Sequence, residues 1–334
     1  MAHRFTLVST KHQRGDLMSV IVGAYAAAPR DIGAGAGFRR YVEDVLALPG
    51  VDGLEVPYIG ADSPWNDLAY LRAADPSTSH VLTMIPATIM TLGSAPECGL
   101  ASADGDGRRA AIDLLRRAWE FMAQVNGGSG GRFTGIELHS APRHPLTSAD
   151  AFRASLEEIA AWDWGGVRLM IEHSDAHSDA HEPAKGFLDL ADEVKLAAEL
   201  GLGVVVNWGR SAIEGRSAAT PREHLASVVA AGRLDGLIFS GASADDTLDG
   251  QAWADLHAPI RDWSATVPVA AEAASSLLTA DEVTACVTAA VAAPELRYVG
   301  VKVSSPSTAT AAECLELVAA NTAVVAAAVA RARG

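Results

Sequence analysis

Acidic, basic and amide side chains lie near the ends of several strand-like runs of this sequence. Glu137 and His139 occur in the run Gly-Ile-Glu-Leu-His, and Glu172 ends the run Leu-Met-Ile-Glu. Because side chains alternate along a strand, Glu137 and His139 share a face. A carboxylate in a buried strand is costly unless it is paired, hydrogen-bonded or bound to a cation. Further polar residues near strand ends are Glu55, Asn207, Ser240 and Lys302.

Carboxylates beside a cation could move a proton on a small molecule. Proton abstraction next to a carbonyl needs a base within reach and a positive charge for the developing enolate. We assign Glu137 or Glu172 as the base and Lys302 as the cation. The alternative is a ring of structural ion pairs, in which Lys302 neutralises Glu55 or Glu137. In the functional interpretation, Glu172→Gln and Lys302→Met leave the melting temperature unchanged or raised but abolish ligand binding or turnover.

Residues next to these strand ends could complete a ligand pocket. Trp208 and Arg210 follow Asn207 and could supply an apolar platform and a fork for a carboxylate or sugar. Lys185 could contact an oxygen-rich ligand, or simply begin a helix. The predicted substrate-binding residues are therefore Glu55, His139, Lys185, Asn207, Trp208 and Arg210.

Eight alternations of apolar strand-like runs and helical periodicity predict a single-domain (β/α)8 TIM barrel of the α/β class. No GxGxxG motif follows the first strand, which disfavours an open dinucleotide-binding sheet. The predicted strands are 19–25, 52–58, 80–86, 133–140, 167–174, 203–209, 234–241 and 298–304. The predicted helices are 36–48, 64–73, 106–125, 148–161, 187–200, 221–231, 280–292 and 309–332.

The fold predicts where chemistry would occur. Active sites of such barrels lie at the C-terminal ends of the strands, so the polar residues above should converge on one mouth. Two long connections, 173–186 and 242–279, follow the fifth and seventh strands and could form walls or lids. The first contains a tandem Ser-Asp-Ala-His repeat that is metal-like in composition, although a solvated loop is the favoured interpretation.

Composition narrows the ligand and the compartment. The formal charge of −15 and the pI of about 5.0 disfavour nucleic acid and anionic membranes as partners. Three widely spaced cysteines indicate free thiols in a reducing cytoplasm, and we find no apolar run of membrane-spanning length. We expect a cytoplasmic protein whose ligand is a small neutral or polar molecule. Whether it forms a homo-oligomer stays open.

The barrel domain is predicted to cover residues 18–334. Met18 opens the first strand-like run, so residues 1–17 are expected to be an N-terminal extension, disordered or preceding the true start codon.

At these residues the chain resembles the xylose-isomerase-like TIM barrels, a superfamily of sugar isomerases and epimerases. The resemblance runs from about Met18 to the C-terminal helix and is closest to an uncharacterised bacterial branch. The motifs that carry it are Val22–Ala26 with Pro29, Gly135–His139, Ile171–His173 with Lys185–Phe187, and Ser276–Thr279.

The resemblance implies a function and a metal site. Sugar epimerases of this superfamily hold a divalent cation through a Glu, an Asp, a His and a final Glu. Glu172 matches the first ligand, Asn207 stands in place of the Asp, Ser240 replaces the His, and Glu272 matches the last Glu. Such a set predicts a weakly bound Mn2+, Mg2+ or Zn2+, or no cofactor.

The expected activity is that of a sugar isomerase or epimerase acting on a small carbohydrate or polyol by carboxylate-mediated proton transfer. The alternatives are a non-catalytic carbohydrate-binding barrel that has lost its metal site, and a glycoside-cleaving enzyme.

Overall fold

Eight parallel strands form a closed barrel. The computed structural model describes residues 18–30, 32–247, 250–264 and 274–333, so the predicted extension 1–17 lies outside the described residues. Neighbouring strands pair in chain order, and the last pairs with the first. The strands are β1 Ser19–Val22, β2 Gly53–Pro57, β3 Ser79–Thr83, β4 Arg132–Leu138, β5 Arg168–Glu172, β6 Gly203–Asn207, β7 Leu234–Phe239 and β8 Tyr298–Val301. The predicted fold is confirmed.

The helices surround this barrel. They are α1 Ala36–Leu46, α2 Leu68–Ala73, α3 Ile85–Leu92, α4 Gly105–Asn126, α5 Ala149–Ala160, α6 Leu190–Leu200, α7 Trp208–Gly215, α8 Thr220–Ala230, α9 Arg261–Ser264, α10 Ala280–Ala290 and α11 Ala311–Arg333. Of these, α3, α7 and α9 were not predicted.

The strands end earlier than predicted because the residues that follow them begin other elements. Asn207 ends β6, and its side-chain oxygen accepts the backbone N–H of Arg210, which caps the first turn of α7. Pro86 was assigned to a strand, but it lies in the first turn of α3, where proline is tolerated because its missing N–H needs no partner.

Side chains alternate between two environments along each strand. The outward side chains, such as Leu169 and Ile171 on β5, pack in the main apolar core under the helices. The inward side chains are of two kinds. An apolar cluster fills part of the interior and consists of Ile21, Val81, Met170, Val205, Ile238 and Tyr298. The later inward positions of the strands are polar, and these form the barrel mouth.

The C-terminal helix α11 is long and apolar enough, by length and composition alone, to cross a membrane, contrary to the expectation from sequence. Half of its most apolar window is buried in the protein. Its residues Leu317, Val318 and Val325 belong to the core, and it packs against α1, α10 and β8. These contacts are those of a core helix of the barrel.

Candidate active site

Glu172, the last residue of β5, is the centre of a buried polar cluster at the mouth. Its Oε1 lies 2.7 Å from Nη1 of Arg210 and accepts a hydrogen bond from Nδ2 of Asn207 at 3.1 Å. Its Oε2 lies 2.7 Å from Nε2 of His139. Lys302 Nζ is 4.0 Å from Oε1. Four predicted site residues thus surround Glu172.

A second carboxylate, Glu55, shares the Lys302 ammonium. Nζ of Lys302 lies 2.5 Å from Oε1 of Glu55, and the Tyr25 hydroxyl donates to the same oxygen at 3.1 Å. A Cβ atom at Gly23 would lie 2.9 Å from Glu55 Oε2 and 3.1 Å from Lys302 Cγ. Glycine has no side chain at position 23, and the ion pair of Glu55 and Lys302 occupies the space that a side chain would fill.

The neighbouring cations keep Glu172 ionised. Burial alone would raise the pKa of Glu172, but Arg210 and Lys302 outweigh it and hold the pKa well below its usual range. Burial lowers the pKa of His139, so its imidazole is neutral and donates a hydrogen bond to Glu172. Burial opposes the Lys302 ammonium, yet Glu55 raises the pKa of Lys302 well above its usual value. The mouth therefore holds an ionised carboxylate beside two fixed cations.

Glu137, the other predicted base, has a different environment. Its Oε1 accepts a hydrogen bond from the Tyr298 hydroxyl, at the start of β8. Burial, and then the charges of Glu172 and Glu55, raise the pKa of Glu137 well above its usual value. Burial and the neighbouring carboxylates therefore favour the protonated form of Glu137 in the barrel interior.

The two long connections meet over the mouth. Asp255, in the connection after β7, lies 2.9 Å from Nζ of Lys185 and 3.5 Å from Nε of Arg210. Its other oxygen lies 3.2 Å from Nδ1 of His257, which is 2.7 Å from the Ser240 hydroxyl. Burial would raise the pKa of Asp255, but these cations and His257 hold it well below its usual value. The Lys185–Asp255 bridge thus joins the connections after β5 and β7.

The mouth is closed in this conformation. Glu55, His139, Glu172, Arg210 and Lys302 are each no more than 2% exposed. A substrate would reach Glu172 only after the connections above it move.

One predicted substrate-binding residue, Trp208, is not brought to the mouth. Its side chain is fully buried in the core under the helices, so it offers no platform for a ligand there. Trp208 directly follows Asn207, whose side chain points into the barrel. Because side chains alternate along a strand, the Trp208 side chain points outward, toward the helices. Glu272, predicted as the last metal ligand, lies outside the described residues.

Residues that sequence reasoning missed complete the cluster. Tyr25 and Asp255 contact predicted site residues, and Tyr298 contacts Glu137. The connection that carries Asp255 was identified as a wall or lid, but its composition did not distinguish this aspartate from its neighbours. The pairing becomes visible only when Lys185, 70 positions earlier in the chain, lies beside it.

The side chains around Glu172 form a poor binding site for a divalent cation. Glu172 Oε1 already contacts the Arg210 guanidinium and the amide nitrogen of Asn207, and both Arg210 and Lys302 would repel a metal ion. The Ser240 hydroxyl is hydrogen-bonded to His257. Mg2+ and Mn2+ prefer several free oxygen ligands. The predicted cation at Glu172, Asn207 and Glu272 stays a prediction that these contacts do not support.

The closed barrel of eight parallel strands defines a TIM barrel with a polar mouth. At a TM-score of 0.57, the structure is similar to that of a D-tagatose 3-epimerase-like protein, with 12% identity over 92% of this chain and 98% of the other. An L-ribulose 3-epimerase is similar at a TM-score of 0.52, with 15% identity over 94% and 95% of the two chains. At these identities the similarity shows the shared fold.

The chain belongs to the family described as Domain of unknown function (DUF4862), which matches residues 21–317. A relative in this range is the Salmonella typhimurium (strain LT2) protein described as uncharacterized protein STM3670. It is 35% identical over 293 residues, which cover 84% of this chain and 88% of that protein.

Proposed function

We propose that the protein is a sugar isomerase or epimerase that moves a proton next to the carbonyl of a small carbohydrate. The observation that carries the proposal is the environment of Glu172, a buried carboxylate beside Arg210 and Lys302 at the barrel mouth. Two structurally similar proteins are described as epimerases or epimerase-like, which supports the same class of substrate.

Glu172 is the base in this proposal. An ionised carboxylate takes the proton from the carbon next to the carbonyl, and the enolate oxygen that develops is stabilised by a nearby cation. Lys302 and Arg210 supply that positive charge, so no step requires a metal ion. Arg210 also presents a planar fork of donors, which suits sugar hydroxyls.

Glu55 is the second carboxylate of the proposed reaction. Glu55 and Glu172 both lie within 4.0 Å of Nζ of Lys302, so a substrate held at the ammonium would meet both. One carboxylate removes the proton, and the other carboxyl group, in its protonated form, returns a proton to the same or the adjacent carbon. Return to the same carbon from the opposite side gives epimerisation. Return to the adjacent carbonyl carbon, together with transfer of the hydroxyl proton to the former carbonyl oxygen, gives isomerisation.

A substrate screen tests this proposal. The purified protein is incubated with aldoses, ketoses and polyols, free and phosphorylated, and the products are identified by NMR. We expect one sugar class to be converted by the parent protein and by Glu157→Gln, a control on the exposed face of α5, but not by Glu172→Gln. Binding of a sugar without conversion would favour the carbohydrate-binding alternative, and release of a sugar from a glycoside would favour the glycosidase.

A further inference from the structure

A second cluster of polar side chains lies just after the end of β5, between the strand and helices α6, α7 and α8. His173 follows Glu172 and points outward, between the strands and the helices. Its Nε2 lies 2.9 Å from Oε2 of Glu214 on α7, and Nε2 of His224 on α8 lies 3.5 Å from Oε1 of Glu214. One ligand atom from each of the three residues lies within 4.8 Å of the other two.

Both imidazoles in this cluster are anchored through their other nitrogen. Nδ1 of His173 lies 2.7 Å from Oε2 of Glu193, which is fully buried on α6. Nδ1 of His224 lies 3.1 Å from the Ser211 hydroxyl. Histidines that bind metals characteristically use the second ring nitrogen in this way, because the outer hydrogen bond fixes the ring and its tautomer.

We propose that His173 Nε2, the Glu214 carboxylate and His224 Nε2 bind a divalent transition-metal ion of the Zn2+ type. Two imidazoles and one carboxylate form a ligand set that suits zinc, and a fourth position would remain for water. This site is separate from the mouth because its ligands come from the outer face of β5 and from two helices.

The cluster has a path to solvent. The side chains of Glu214 and His224 are 20% and 14% exposed, whereas His173 is fully buried. An ion can therefore reach Glu214 and His224 first. Once bound, it would join β5 to α7 and α8, and thereby hold the strand that carries Glu172.

The ion would replace a proton. In the metal-free cluster, Nδ1 and Nε2 of His173 each lie within hydrogen-bond distance of a carboxylate, Glu193 and Glu214 respectively. A metal ion can bind Nε2 only when that nitrogen carries no proton. A cluster that is only a structural ion pair would keep the proton and bind no ion.

Titration of the full-length, chelator-treated protein with Zn2+ alone, and with Co2+ as a spectroscopic probe, tests the site. We expect one equivalent of Zn2+ to bind and Co2+ to give the visible absorption of a low-coordinate nitrogen and oxygen site. His224→Gln and Glu214→Gln should abolish that signal. Ser211→Ala, which removes only the anchor of His224, should weaken binding about 10-fold or more.

Two controls separate this site from others. Glu172→Gln should leave zinc binding unchanged. His177→Gln, which alters a partly exposed histidine of the same connection as His173 but outside the cluster, should also leave it unchanged. Absence of stoichiometric binding by the folded parent, or binding retained in both His224→Gln and Glu214→Gln, would overturn the proposal. Binding lost in Glu172→Gln but retained in His224→Gln would place the ion at the mouth and overturn it as well. None of these outcomes depends on sugar turnover.

Discussion

Nζ of Lys302 lies 2.5 Å from Oε1 of Glu55, with both side chains shielded from solvent inside the barrel. Lys302 is thus paired with Glu55 in the closed conformation. This pairing changes the stability expected for one variant. The prediction from sequence was that Lys302→Met leaves the melting temperature nearly unchanged or raised, but the pairing means that this change leaves a buried carboxylate without its cation.

Lys302→Met is therefore expected to lower the free energy of unfolding by about 3 kcal/mol, because removal of one partner of a buried pair leaves an uncompensated charge. The double variant Glu55→Gln/Lys302→Met should recover most of this loss. Denaturant unfolding of the parent, both single variants and the double variant measures the coupling. A double variant as unstable as the sum of the single changes would show that the two charges do not depend on each other.

Glu137→Gln should change stability little at low pH and become relatively stabilising as the pH rises. Burial raises the pKa of Glu137 in the folded state, so the folded protein holds a proton that the unfolded chain releases above about pH 4.5. The contribution of Glu137 to stability is thus present below that pH and lost as the pH rises through the folded-state pKa. The glutamine side chain does not titrate, so the Glu137→Gln variant does not lose stability in this way.

The measurement for Glu137 is the free energy of unfolding of parent and variant between about pH 5 and pH 8. Glu157→Gln, on the exposed face of α5, serves as the control and should follow the parent. If the difference between Glu137→Gln and the parent does not grow with pH, Glu137 is already ionised in the folded protein.

Asp255→Asn should loosen the two connections over the mouth. The change removes the charge that joins Asp255 to Lys185 and Arg210, so the backbone around residues 175–187 and 250–260 should exchange amide hydrogens faster. Hydrogen exchange followed by mass spectrometry measures this. The same change at Asp246, an exposed residue of the same connection, should have no effect outside its own turn. Equal exchange in both variants would show that the bridge does not hold the mouth closed.

The fold could be predicted from the sequence because each strand carries its own local signal. Leu-Met-Ile-Glu of β5 is apolar and short, and the connections on both sides are helical or polar. Helix α7 was missed because it begins directly at the end of β6, where Trp208 and Arg210 resemble strand-end residues.

The candidate site was predicted only in part, because its contacts join residues that are far apart in the sequence. Strand position indicates that Glu55, Glu172 and Lys302 lie at one mouth, but not which charges pair. Lys302 contacts Glu55, and Lys185 contacts Asp255, across long sequence separations that only the closed barrel fixes. Likewise, the outward direction of His173 follows from strand alternation, whereas its partners Glu193 and Glu214 come from helices whose rotation the sequence does not specify.

In the proposed function, Glu172 exchanges a proton with a carbon atom of a sugar. Incubation of the protein with single aldoses and ketoses in D2O, with deuterium incorporation next to the carbonyl followed by NMR, tests this exchange. We expect one deuterium at that carbon with the parent protein and with Glu157→Gln, and a rate at least about 100-fold lower with Glu172→Gln. Unchanged exchange in a folded Glu172→Gln variant, or the absence of exchange into every sugar that the parent binds, would contradict the proposed function.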